Sequence, residues 1–146
     1  MVAEKEKCAI DKVAIHSFSF KFLRLIRMRI AVPVWGDKIS PVLDTASRLQ
    51  VFELVENTWL SEFETLLEEK EISRRCSRIR DLNVDAIICG AVSRTMSDIL
   101  AAAGIKIIAG IGGSYAEVLK AYQEGDLFCD RFLMPGYSQN MERYKQ

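Results

Sequence analysis

A chain of 146 residues, 49% of them hydrophobic, is long enough for one well-buried core and too short for two ordinary domains. Its twenty basic and twenty acidic residues cancel, so no global field steers it toward nucleic acid or an anionic membrane surface. A charged ligand therefore has to be held by local groups.

Residues 1–27 hold a polar start and a mixed run, Phe18-Ser-Phe-Lys-Phe-Leu-Arg-Leu-Ile-Arg27, with no turn chemistry before the next segment. They read as an extension ahead of a domain that opens at Met28, or as an added amphipathic arm. Lys21, Arg24, Arg27 and Arg29 interrupt this apolar stretch. It falls short of the roughly 20 apolar residues that cross a bilayer, and the charges also spoil a signal-peptide reading. Met28-Arg-Ile-Ala-Val-Pro-Val34 is a β-branched strand closed by Trp35-Gly36-Asp37, with Pro33 suggesting irregularity at its end. Arg48 to Val55 and Trp59 to Leu66 form two further strands around a turn at Glu56-Asn57-Thr58, as in a hairpin. Helical spacing of Ile72, Cys76 and Ile79 predicts an amphipathic helix over roughly Glu68 to Leu82, ended by Asn83. Val84 to Cys89 is a short apolar run, as in a strand covered on both faces. A helix from Ser93 to Ala103 follows, stopped by Gly104, then a strand from Ile105 to Ala109. After the glycine-rich turn Gly110 to Ser114, the Ser114-x-x-Glu117 spacing is that of a capping box opening a helix that Gly125 closes. The tail, 128–146, has an apolar half around Phe132 that should pack and a polar end that should fray.

The order βββαβαβα, with an antiparallel hairpin first and right-handed crossovers second, predicts an α/β fold: a mixed five-stranded sheet between helices. In such sheets ligands bind where the strands end, so the turns Trp35 to Ser40, Cys89 to Arg94 and Gly110 to Ser114 should frame a crevice. Glycines there let backbone N–H groups approach an anion at the start of a helix. Gly112, Gly113 and Ser114 are candidate binding residues on that ground, as is Gly90, which ends the middle strand. Equally, these glycines and Ser114 satisfy turn and capping geometry alone. Arg94 offers a fork of donors or is a solvated surface charge, and Trp35 covers the mouth or packs on a loop. Asp37, Asp44 and Arg48 read as loop or surface charges, Asp44 also suiting an Asx turn.

The four cysteines, Cys8, Cys76, Cys89 and Cys129, form no CxxC pair, which argues against a zinc ribbon or a ferredoxin cluster and suits a reducing, cytoplasmic setting. Cys89, at a strand end, is the candidate soft-metal ligand, with a buried free thiol as the plain alternative. Cys76 falls on the apolar face of its helix. A two-metal nuclease lacks its converging carboxylates, since residues 29–34 carry none and Asp85 begins its strand. A serine or cysteine hydrolase lacks its base, because the one histidine, His16, lies outside the core.

Three stretches carry a family resemblance: Met28-Arg-Ile-Ala-Val-Pro-Val34 with Ile39-Ser-Pro41; Ile87-Ile-Cys-Gly90; and Gly104-Ile-Lys-Ile-Ile108 through Gly112-Gly-Ser-Tyr-Ala-Glu-Val-Leu-Lys-Ala-Tyr122 to Gly125-Asp-Leu127. Over 28–127 the chain resembles the dinitrogenase iron-molybdenum cofactor biosynthesis domains, which include NifX-like proteins and the C-terminal part of NifB. The resemblance implies a ribonuclease H-like three-layer fold. It also implies a small non-catalytic accessory protein that binds an iron-sulfur or iron-molybdenum cluster and exchanges it with a donor or acceptor protein; the crevice residues read above, Trp35, Cys89, Gly90, Arg94, Gly112, Gly113 and Ser114, are where such a guest is expected to sit. The radical-SAM cysteine signature of full-length NifB is absent, so radical chemistry is not implied. The alternative is a regulatory or scaffold domain that takes an anionic small molecule or a protein partner without metal.

Overall fold

The computed structural model describes residues 27–127 and 132–135. Expectations for Cys8, His16, Cys129 and the rest of the two ends lie outside the described residues.

The sheet is built outward from β1 (Arg27–Trp35), in which five successive residues, Ile30 to Val34, are buried. β1 pairs antiparallel with β3 (Arg48–Val55) on one side and parallel with β5 (Ala86–Ile88) on the other. The hairpin partner β4 (Thr58–Leu66) forms one edge and β6 (Lys106–Ile108) the other, in the order β4-β3-β1-β5-β6. A two-residue strand, β2 (Lys38–Ile39), folds back on the end of β1 through the turn at Gly36 and Asp37, so the sheet has six strands where the sequence predicts five. Pro33 lies past Ala31, the last β1 residue paired with β5, so its missing N–H costs that ladder nothing.

Period-two alternation sends β1 side chains to two cores. Ile30, Val32 and Val34 join Phe52, Ile88 and Ile108 beneath Val118 and Leu119 of α3 (Tyr115–Glu124). Ala31, Leu49, Val51 and Ile87 face Cys76 and Ile79 of α1 (Ile72–Asp81) and Met96 and Leu100 of α2 (Arg94–Ala102). The result is a three-layer α/β fold with helices on both faces of a mixed sheet.

Two local details depart from the sequence reading. Helix α1 starts at Ile72, four residues after the expected Glu68, because Leu67 is buried and its N–H bonds the Ser47 carbonyl at 2.8 Å, holding the chain extended through Glu71. Strand β4 carries a bulge opposite Glu53 and Leu54. The β3–β4 turn uses positive φ at both Glu56 (50°) and Asn57 (64°), the conformation whose twist matches a hairpin.

Candidate functional site

The turns after β1, β5 and β6 do meet at one end of the sheet, and backbone hydrogen bonds tie them together. Ile39 donates to the Gly113 carbonyl at 2.9 Å and Tyr115 to that of Asp37 at 3.2 Å, so Lys38 lies opposite Ser114. Ala91 donates to Pro41 at 2.7 Å, Leu43 to Ala91 at 2.8 Å, and Gly110 to Gly90 at 2.9 Å. Gly90 is needed here for closeness: a Cβ on it would stand 2.4 Å from the Pro41 carbonyl oxygen. The C-terminal piece joins in, with Gly112 donating to Phe132 at 2.7 Å and Met134 to Gly110 at 2.8 Å.

These bonds change the character of the glycine turn. Of its N–H groups, those of Gly110, Ile111 and Gly112 hold the fold together. Those of Gly113 and Ser114 have no partner among the described residues. Gly110 and Gly113 take φ values of 79° and 105°, open to glycine and strained for other residues. Ser114 is the N-cap of α3 as expected, but the capping box does not close, because the Ser114 side chain makes no cap hydrogen bond. At the matching position of α2, Ser93 does cap, its Oγ accepting from the Met96 N–H at 3.2 Å.

Beside the joined turns, the loop from β1 to β3 opens a cavity of about 320 Å³ lined by Val34, Trp35, Ser40, Pro41, Val42, Thr45, Ala46 and Ser47. Of the residues proposed from sequence, Trp35 lines it, 75% exposed at its rim. Cys89, Gly90, Arg94, Gly112, Gly113 and Ser114 stand outside its lining. Arg94 is exposed as the first residue of α2.

Cys89 does not face the crevice. It is fully buried in the core beneath α1 and α2, and burial, reinforced by Asp44, pushes its thiol up to about 12. With no exposed surface, this sulfur is a packed core group. Cys76 lies in the same core, its thiol also raised by burial. Among the described residues no group of three or more His, Cys, Asp or Glu side chains is placed to hold a metal ion.

Two residues outside the cavity lining, Asp44 and Arg75, hold in place the loop that forms it. Asp44, read as a loop charge, accepts from the Ser93 N–H at 2.8 Å and from its Oγ at 2.5 Å, tying the loop to the start of α2. Arg75 is only 4% exposed. Its Nη1 donates to the carbonyls of Leu67 (3.3 Å) and Glu69 (2.9 Å), and its Nη2 to those of Leu43 (2.9 Å) and Ala46 (2.6 Å). Burial pulls its pKa below the usual arginine value, opposed by Asp44 and Glu69; it remains a cation. One guanidinium thus fixes both stretches flanking the hairpin, a role that spacing within a helix does not announce.

Strand order and layering define a ribonuclease H-like α/β domain with its loops gathered at the strand C-terminal end. The chain belongs to the dinitrogenase iron-molybdenum cofactor family, whose profile matches residues 27–125. Solved structures share the fold. Protein PH0822 is 18% identical with a TM-score of 0.66, covering 70% of this chain and 96% of its own. A candidate dinitrogenase of Methanocaldococcus jannaschii is 22% identical with a TM-score of 0.57, over 69% and 92% of the two chains. The apo orange protein of Desulfovibrio gigas is 17% identical with a TM-score of 0.55, over 68% and 89%. No curated protein matches the chain. No helix among the described residues is long and apolar enough to cross a membrane.

Proposed function

We propose that this protein is a small non-catalytic carrier that holds an anionic metal–sulfur cluster, of the iron-sulfur or iron-molybdenum class, as cargo at the loop end of the sheet and exchanges it with a donor or acceptor protein. Family membership supports the class of cargo. The observation that carries the reading is the chemistry of the loop end, which among the described residues offers donors and cations. Lys38 lies opposite Ser114, beside the unpartnered N–H groups of Gly113 and Ser114. Arg94 adds a second cation at this end of the sheet, and the hydroxyls of Ser40, Thr45 and Ser47 line the adjoining cavity. Such groups suit a guest that brings its own sulfide shell and needs hydrogen bonds and charge from the protein. Cys89, sealed in the core, has no part in this reading.

Anaerobic incubation with tetrathiomolybdate, followed by desalting and molybdenum analysis, tests it. Molybdenum should stay with the protein, retention should weaken on the order of tenfold for each charge removed by Lys38→Ala and Arg94→Ala, and Cys89→Ala should bind as well as wild type. A wild-type protein that retains no molybdenum, or a double variant that retains as much, overturns the proposal. Retention of phosphate in place of thiomolybdate would favour a domain that senses an anionic small molecule.

A further inference from the structure

Away from the loop end, the described residues leave the outer part of the sheet uncovered on the α3 face. Between α3 and β4 runs a groove of about 830 Å³, lined among others by Phe52, Trp59 and Tyr115. The Phe52 ring stands 6.0 Å, centroid to centroid, from each of the other two. Glu62 and Glu124 stand on its walls with Lys120 as the one basic lining residue, and neither glutamate has an ion pair among the described residues. An open aromatic groove with an acidic rim calls for an apolar, basic segment.

The chain carries one immediately before Arg27, which stands at the hairpin end of the sheet. Residues 18–26, Phe-Ser-Phe-Lys-Phe-Leu-Arg-Leu-Ile, hold three phenylalanines, two cations and no acidic residue. They run directly into Arg27, which pairs with Val55 at the hairpin end of the sheet, while Leu54 pairs with Trp59. Met28 packs against the core on the α3 side, its sulfur accepting from the Tyr122 hydroxyl at 3.3 Å. The segment therefore joins the domain at the hairpin end of the sheet, the end where Gln123 of α3 accepts from the Trp59 indole N–H at 3.0 Å and its amide donates to the Asn57 carbonyl. Length suffices: nine extended residues reach up to about 30 Å, and the ten-residue α3 beside the groove is roughly 15 Å long.

We propose that residues 18–26 dock in this groove, with phenylalanine side chains against Phe52, Trp59 and Tyr115 and with Lys21 and Arg24 toward Glu62 and Glu124. The segment then serves as a built-in cover for the uncovered part of the sheet.

The chain has two tryptophans, Trp35 and Trp59, so Trp35→Phe in the full-length protein leaves Trp59 as the reporter. In that background, Phe18→Ser, Phe20→Ser and Phe22→Ser together should move Trp59 emission to longer wavelength and increase its quenching by acrylamide. Emission and quenching that do not change overturn the proposal, and if the protein also sediments as a dimer with or without these substitutions, a second copy fills the groove. A charge exchange gives an independent reading should the triple variant fold poorly. Lys21→Glu with Arg24→Glu, or Glu62→Lys with Glu124→Lys, should each expose Trp59, and the four changes combined should return its emission toward that of the parent. Failure of the combination to restore the signal also overturns it.

Discussion

At Cys89, burial and chemistry act in one direction. The thiol sits at the end of β5 with no exposed surface, and its pKa of about 12 lies above the ordinary 9.0. An acid whose folded pKa is raised favours the folded state in its neutral form. That contribution is complete below the unfolded pKa and is lost as pH climbs through the window between the two values. Stability should therefore fall between about pH 9 and 12, by on the order of 4 kcal/mol from this group, with Cys76 adding to the slope in the same direction. Urea unfolding of wild type and Cys89→Ala across that range checks it: the alanine variant starts less stable, from the lost packing, and should show a shallower decline. An equal slope in the two proteins would mean that the thiol is reached by solvent. Position alone suggested a ligand here, because a strand end is where sites lie; the sequence does not show that Cys89 joins Leu43, Met96 and Leu100 in one buried core.

At the scale of elements, the strands and helices were legible because their periodicities are strong, while their junctions depended on partners far away in the chain. Arg75 looks like one more charge on an amphipathic helix. What sets it apart is contact with Leu43 and Ala46, 32 and 29 residues away, a pairing that appears only once the loop and helix are docked. Gly90 was legible as a stop to its strand, whereas its closeness to Pro41 was not. The capping serines divide in the same way: Ser93 closes its cap with Asp44 behind it, and Ser114 leaves its cap open at the proposed site. Replacing Arg75 by Met keeps much of its volume and strands four carbonyls, those of Leu67, Glu69, Leu43 and Ala46. A loss of roughly 3–5 kcal/mol is expected, as for a buried pair broken on one side. Arg75→Lys, which keeps the charge but lacks the fork, should recover only part of it. Chemical denaturation of wild type and the two variants measures this; a lysine variant as stable as wild type would show that charge alone, without the fork, suffices.

For the whole molecule, the sheet order sets a gradient of protection from β1 outward. β1 is paired on both sides, and β5 lies between β1 and β6 with all three residues buried. Among the described residues β4 is an edge strand, with a bulge and with apolar side chains open to solvent at Leu60 (62%), Phe63 (42%) and Leu66 (49%). Exposed edges are drawn to pair with other chains, and charges on them oppose this. Glu62 and Glu64 flank Phe63, so an antiparallel pairing of two copies centred there would set glutamate against glutamate. Local opening follows burial and pairing, so amide hydrogen exchange should be slowest in residues 30–34 and 86–88 and faster by orders of magnitude along the outward-facing N–H groups of 58–66. The comparison also bears on the groove beneath that edge, because docking of residues 18–26 would slow exchange around Trp59. Full-length wild type and the triple phenylalanine variant should then differ there and agree in β1 and β5. A uniform change across the sheet would instead mean that the substitutions lower global stability.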